Sequence, residues 1–320
     1  MSNARLRWTA AVSIVVALST TALGATAACG NNDPLSSGGG SGNPDPNVVV
    51  IGSANFPESE TVASVYTEAL RANGFDVSTK FAIGTREAYI PALRDGSIDI
   101  TPDYTGNLLQ YLDKNSTGST DAEVDVALNK ALGSDLSLGT PAPAQDKDAV
   151  VVSKDTAQRW NLTTIGDLAA HSSEVKFGAP AEFQERPVGL PGLKEKYGLD
   201  ISKKNFVPIS DGGGPATVKA LASGVVTAAN IFTTSPSIRK NDFVVLEDPK
   251  HNFPAQNVVP VINLAKRSDK LIRVLDAVSA KLTTEELVAL NESVSGDAKI
   301  EPKNAARAWV ADQGLDKPTG

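Results

Sequence analysis

Residues 98–112, IDITPDYTGNLLQYL, gather side chains able to hold a ligand at a junction between elements. Ile98-Asp99-Ile100 alternates as a short buried strand does. Pro102 and Asp103 punctuate the chain as a tight polar turn, and Leu108, Leu109 and Leu112 then recur at helical spacing. Thr105, Gly106 and Asn107 thus sit where a helix begins and its N–H groups lack partners, a position suited to an anion. Tyr104, immediately before it, adds an aromatic face for a cation or an apolar ligand body. A core tyrosine beside an ordinary helix start fits the same letters.

Other chemistry-bearing residues are sparse. There are two histidines, His171 in a polar segment and His251 in PKHNFP, and a single cysteine, Cys29. No Cys/His cluster offers a zinc ligand set, and neither histidine accompanies a nucleophile motif such as G-x-S-x-G. Asp211-Gly212-Gly213-Gly214-Pro215 before a helical stretch has the backbone freedom to cradle an anion but lacks the Lys-Ser/Thr of a phosphate loop. Neither a cofactor nor a metal is expected. With 30 Lys+Arg against 37 Asp+Glu, a net charge of −7, a general nucleic-acid partner is disfavoured.

These candidates need a frame to position them, and the hydrophobic pattern supplies one. Val48-Val49-Val50-Ile51 reads as a buried strand of a parallel sheet. Pro57 opens a helix with Glu58 and Glu60 at its positive end and Val62, Val65, Tyr66, Ala69 and Leu70 as its apolar stripe; Asn73-Gly74 closes it. A strand over 77–83, the Gly84-Thr85 turn, a helix over 86–94 and the strand at 98–100 follow. Alternating strands and helices mean an α/β sheet, whose ligands collect where strands end and helices begin. The turns 53–56, 84–85 and 104–107, holding Ala54, Asn55, Thr105 and Asn107, are therefore expected to converge.

Upstream, Arg5 and Arg7 precede a weakly apolar run at 8–18 and small residues up to Ala27-Ala28-Cys29, the pattern of a secretory signal rather than a membrane span. Residues 30–47, GNNDPLSSGGGSGNPDPN, read as a flexible tether. The folded part begins near Val48 and, at about 270 residues, suffices for two lobes. Ala27-Ala28-Cys29 resembles a bacterial lipobox, with Thr26 where leucine is usual. That resemblance implies lipidation at Cys29 and a membrane anchor, outside the cytoplasm.

IGSANFPESETVASVYTEAL, GTREA, LRDGSIDI and PDYTG resemble the substrate-binding proteins of ABC importers for glycine betaine, choline, carnitine and related osmoprotectants. The similarity continues through IGDLA, FGAPAEFQERPVGLPGL, KYGL and LEDPKHNFPAQNVVPV, so it spans nearly all of the chain after the tether. It implies a type II periplasmic-binding-protein clamshell of two α/β lobes, crossed near 145–148 and 232–239. The first lobe is placed at 48–148 plus 232–320 and the second at 149–231. Strands at 243–246 and 258–262 return to the first lobe, and helices over 272–282, 285–290 and 304–312 pack on it. A monomer, a small-molecule ligand and an ABC permease are the implied state and partners.

In such proteins aromatic rings box the trimethylammonium group and cationic side chains hold the carboxylate. A cation that cannot donate hydrogen bonds is well held by desolvated π faces, at roughly 0.5 to 2 kcal/mol per contact. Tyr104 in PDYTG matches one cage tyrosine, and Phe232, before Thr233 in NIFTTS, matches another without its hydroxyl. Asp148 and Val218 stand where two further tyrosines belong, Ala54 replaces a lysine, and Arg186 keeps a fork for a carboxylate. Three readings follow: Asp148 replaces π attraction with charge for a cationic osmolyte; the pocket serves a different small molecule; or Asp148 pairs with Arg186 or a surface lysine and touches no ligand. An envelope hydrolase and an adhesin remain as further classes, the first requiring a turnover dependent on His251 or a cleft carboxylate.

Overall fold

The computed structural model describes residues 48–116, 118 and 120–318. Cys29 and the stretches read from sequence as a leader and a tether lie outside them. None of the described helices is long and apolar enough to cross a membrane.

The described chain builds two five-stranded mixed sheets with helices. The first is laid down by β1 (Val48–Gly52), α1 (Pro57–Ala72), β2 (Asp76–Lys80), α2 (Arg86–Arg94), β3 (Ile100–Tyr104), α3 (Thr105–Leu112), α4 (Asp121–Ala131) and β4 (Leu136–Leu138). The second takes β5 (Asp148–Val152), α5 (Lys154–Trp160), α6 (Ile165–Ala169), β6 (Phe177–Ala179), α7 (Leu190–Tyr197), β7 (Phe206–Pro208), α8 (Pro215–Ala222) and β8 (Ala228–Phe232). After α9 (Pro236–Lys240) and β9 (Val244–Val245), β10 (Val258–Asn263) rejoins the first sheet, and α10 (Asp269–Lys281), α11 (Thr284–Ser295) and α12 (Pro302–Asp312) follow. Strand orders are β2-β1-β3-β10-β4 and β7-β6-β8-β5-β9.

Both sheets are covered on both faces, which explains their continuous apolar runs. Along β10, Val258 and Ile262 join the core beneath α1 and the C-terminal helices, while Val259 and Val261 join the core containing Leu93, Leu108 and Leu128. In β5, Val150 and Val152 face one core and Ala149 and Val151 the other. The alternation is the period of two that a strand imposes on its side chains.

Three expectations change. The strand expected over 77–83 ends at Lys80, because the chain folds over the end of β1: Ala82 takes a left-handed φ of 53° and Ile83 N donates to the Ser53 carbonyl at 3.1 Å. Pro102 and Asp103 are not a turn but the interior of β3, where Pro102 faces Pro260 across an antiparallel ladder. A proline is tolerated there because β1 pairs with β3 only at Ile51 and Ile100, so no neighbouring strand waits for its missing N–H. The stretch expected to return to the first lobe at 243–246 instead pairs antiparallel with β5 through Val244 and Val245. Its apolar letters suit either sheet, and Leu246 N donating to the Val150 carbonyl at 2.9 Å decides for the second.

Three stretches of backbone therefore lie between the two halves: 145–147 and 255–257 pass from one sheet to the other, while 233–235 leaves the second sheet for α9, which packs on α11, before β9 returns to that sheet. They are stitched together: Thr233 N donates to Lys147 O at 2.9 Å, Asp146 N to Gln256 O at 3.0 Å, and Gln145 bridges Asn257.

Candidate ligand-binding site

The ends of β1 and β3 and the start of α2 face the ends of β5, β6 and β8 across a cleft. Its central cavity of about 40 Å³ is lined from the first side by Ala54, Asn55, Phe56, Thr85, Arg86 and Tyr104, and from the second by Asp148, Arg186, Ser210, Asn230 and Phe232. Direct contacts hold the sides together. Asn55 Nδ2 donates to the Ser210 carbonyl at 3.0 Å, and Asn107 Nδ2 donates to Asp148 Oδ2 at 2.6 Å.

Three rings form one wall. The Phe56 centroid lies 5.4 Å from that of Phe232 and 6.2 Å from that of Tyr104, while Tyr104 and Phe232 are 6.2 Å apart with planes 12° from parallel. Tyr104 is buried and its hydroxyl donates to Glu58 Oε1 at 2.5 Å. Burial, then the charges of Glu58 and Asp146, push the phenol well above its ordinary range, so it stays a donor. Gly212, at φ +58°, brings the second side against this wall: a Cβ there would meet Phe56 Cβ at 3.0 Å.

The rest of the lining is charged, starting at Asp148, the partner of Phe232 across the β5–β8 ladder. Asp148 is buried and accepts from Asn107 and, at 3.0 Å, from Asn230 Nδ2. Arg86 is buried and forks onto Asp103, through Nε at 3.0 Å and Nη2 at 2.6 Å to Oδ1, while Tyr89 donates to Asp103 Oδ2 at 2.9 Å. Burial disfavours the guanidinium charge, but Asp103 outweighs it and keeps Arg86 firmly protonated. Arg186 pairs with Glu182 at 3.3 Å and reaches Glu87, across the cleft, at 3.7 Å. Asp148 thus pairs with two amides, not with Arg186 or a lysine.

The structure brings together Tyr104, Phe232, Arg186, Asp148, Asn107, Asn55 and Ala54, all on the walls of the cleft or its mouth. Val218 lines a separate cavity of about 320 Å³ behind Phe56 and Phe232, with Glu58, Lys219 and Asn291. Thr105 is spent on Asn257, accepting its N–H at 3.1 Å, and Thr233 on the passage at 145–147, its hydroxyl accepting from Lys147 N at 3.0 Å. Both anion cradles expected from sequence are occupied by the protein itself. At α3, Thr105 N donates to Asn257 O at 3.0 Å and Asn107 N to Gln256 Oε1 at 3.0 Å. At α8, Asp211 Oδ2 takes the N–H groups of Ala216 and Thr217 at 2.6 and 3.2 Å.

Sequence reasoning missed Phe56, Arg86, Tyr89 and Asn230. Phe56 stood inside a turn expected to converge and Arg86 directly after another, at the start of α2, and the signal overlooked was their adjacency to Asn55 and Thr85. Neither histidine reaches the cleft wall: His171 stacks on Trp160 with centroids 4.3 Å apart, and His251 is exposed. Among the described residues no cluster of His, Cys, Asp and Glu is placed to hold a metal.

A family profile, OpuAC, described as the substrate binding domain of ABC-type glycine betaine transport systems, matches residues 47–312. The glycine betaine-binding protein YehZ of Escherichia coli K12 is 27% identical over 280 residues, covering 84% of this chain and 92% of its own. The ergothioneine transport permease/ergothioneine binding protein EgtU of Helicobacter pylori is 26% identical over 273 residues, covering 83% of this chain and 48% of that longer protein. A crystal structure described as a glycine betaine/carnitine/choline ABC transporter superposes with a TM-score of 0.65 over 84% of this chain and 100% of its own, at 22% identity, a likeness of fold.

Proposed function

The chain belongs to the substrate-binding domains of ABC-type glycine betaine transport systems, and on that premise we propose that it captures a quaternary amine of the betaine class between Tyr104, Phe56 and Phe232. The observation that carries this reading is the meeting of three rings, two from the first side and one from the second, with the buried carboxylate of Asp148 beside Phe232 across the β5–β8 ladder. Rings supply the polarisable face a trimethylammonium group prefers, and Asp148 supplies the charge that absent tyrosines do not. Arg186, at the mouth, receives the ligand carboxylate by exchanging its bridges to Glu182 and Glu87.

Ligand held between the sides favours the closed arrangement by its differential affinity for that state, and the closed protein is then offered to the permease. No chemical step is involved, in keeping with relatives that are transport binding proteins. Because small-molecule sites occupy roughly 300–1,000 Å³, the cavity of about 40 Å³ must open for entry. Separation of the two sides at the passages 145–147, 233–235 and 255–257 is the motion we assign. The domain works outside the cytoplasm as a monomer, held at the membrane by a lipid on Cys29.

One observation favours a second reading. Asp148 already accepts N–H bonds from Asn107 and Asn230, and a carboxylate so placed suits a ligand that donates N–H bonds and is not quaternary. Calorimetric titration with glycine betaine, choline, carnitine and proline betaine tests the choice. Heat from at least one is expected; none from all four would remove the quaternary-amine reading and leave the second.

A further inference from the structure

We propose that Glu58 is a positioning residue that ties the aromatic wall of the cleft to the hinge, holding the Tyr104 ring and the passage at 233–235 in the closed arrangement. Glu58 lies in the first turn of α1 and is only 7% exposed. Its Oε1 accepts from the Tyr104 hydroxyl at 2.5 Å, and its Oε2 accepts from the Thr234 hydroxyl at 2.6 Å and from Asn291 Nδ2 of α11. One carboxylate therefore joins the end of β3, the second passage and a C-terminal helix. None of these three partners is near it in sequence.

The same node reaches the other two passages through Asp146. Asp146 Oδ1 accepts from Thr234 N at 3.0 Å and from the Thr233 hydroxyl at 3.3 Å, while its own N–H goes to Gln256 O in the third passage. Asp146 Oδ2 is buried and meets no donor among the described residues. Burial, with the charge of Glu58 beside it, pushes the Asp146 carboxyl well above its ordinary range. Glu58 thus gathers three donors onto two oxygens.

Glutamine at position 58 keeps the shape but offers one acceptor oxygen and two donors of its own, so the ties to Tyr104 and Thr234 cannot all survive. The inference rests on the ligand placement proposed above, and two measurements keep the two separable. In the first, glycine betaine is titrated into the full-length protein, Tyr104→Phe, Glu58→Gln and the double variant. Each single change is expected to raise Kd about five- to tenfold, and the double variant to fall within about twofold of the weaker single, because both remove one tie. Losses that multiply would assign Glu58 a merely structural part and overturn the inference. In the second, amide hydrogen exchange is followed without ligand, so it reports on Glu58 even if glycine betaine gives no heat with the unaltered protein. Glu58→Gln is expected to speed exchange at Thr233 and Thr234 at least about tenfold while the amides of β5 and β1 keep their protection. Unchanged exchange at Thr233 and Thr234 would overturn the inference whatever the ligand proves to be.

Discussion

Replacing Asp148 by asparagine is the most informative single change in the cleft. The side chain keeps its size and stays within reach of Asn107 and Asn230, so packing is preserved while one buried negative charge is lost. With an effective dielectric of about 20, a ligand cation held at about 5 Å from that charge interacts with it by roughly 3 kcal/mol. The neighbouring Arg86 moderates this, although its guanidinium is already committed to Asp103. Discounting for that neighbour leaves about 1.5 to 3 kcal/mol, or roughly a 10- to 150-fold rise in Kd for glycine betaine or choline. The new amide must also turn one N–H₂ group toward a neighbouring amide, so a small loss of stability, about 1 kcal/mol, accompanies it. Calorimetry gives the affinity, and a urea titration run in parallel gives the stability. If Asp148→Asn bound glycine betaine as tightly as the unaltered protein, the charge would not be compensating for missing rings. The cleft reading would then have to rest on the three aromatic side chains alone.

Phe232→Ala and Tyr104→Ala should each weaken binding by about 1 to 2 kcal/mol, some 5- to 30-fold, without unfolding the sheets; unchanged affinity in both variants, measured calorimetrically, would place the ligand elsewhere. Arg186→Ala should weaken glycine betaine and leave choline nearly unaffected, since only the first bears a carboxylate, and its partly exposed bridges predict a stability change under about 1 kcal/mol. Equal effects on the two ligands would deny Arg186 its assigned part. Asp146 supplies a pH prediction. Its folded carboxyl holds a proton that the unfolded chain releases near its ordinary 3.8, so its contribution is full below that value and is lost as pH rises through the raised folded value. Asp146→Asn removes this loss. The stability of the variant relative to the unaltered protein should therefore climb as pH rises above 3.8 toward the raised folded value, by at most about 1.4 kcal/mol per pH unit, and a difference independent of pH in urea melts would contradict it.

Much of the first sheet was legible because its letters carry both period and punctuation. Pro57 with its following acidic pair, and the run Val62 to Leu70 at helical spacing, give α1 its start and its buried face. What misled lay where tertiary pairing overrides local signals. Pro102-Asp103 looks like a turn but is strand interior, because Asp103 is wanted by Arg86 and Pro102 faces a proline that also lacks an N–H. Val244-Val245 suits either sheet, and only the partner strand decides. In the site, ring positions were readable from motif resemblance, and so were Asp148 and Arg186. Phe56 and Arg86 were not, since an apolar residue in a turn and an arginine at a helix start announce nothing until β3 and β8 close around them. Val218 was misplaced for a related reason: a position in a helix start does not tell which of two cavities it borders. Glu58 was read as a helix-end charge, and its partners, 46, 176 and 233 residues away, cannot be inferred from spacing.

The proposed ligand site holds a quaternary ammonium group among Phe56, Tyr104 and Phe232, beside Asp148. A crystal structure of the protein grown with glycine betaine addresses it most directly. The ligand nitrogen is expected within about 6 Å of at least two of the three ring centroids and the ligand carboxylate against Arg186. Glycine betaine found instead in the cavity beside Val218 and Lys219, or a cleft unchanged with no ligand in it, would contradict it.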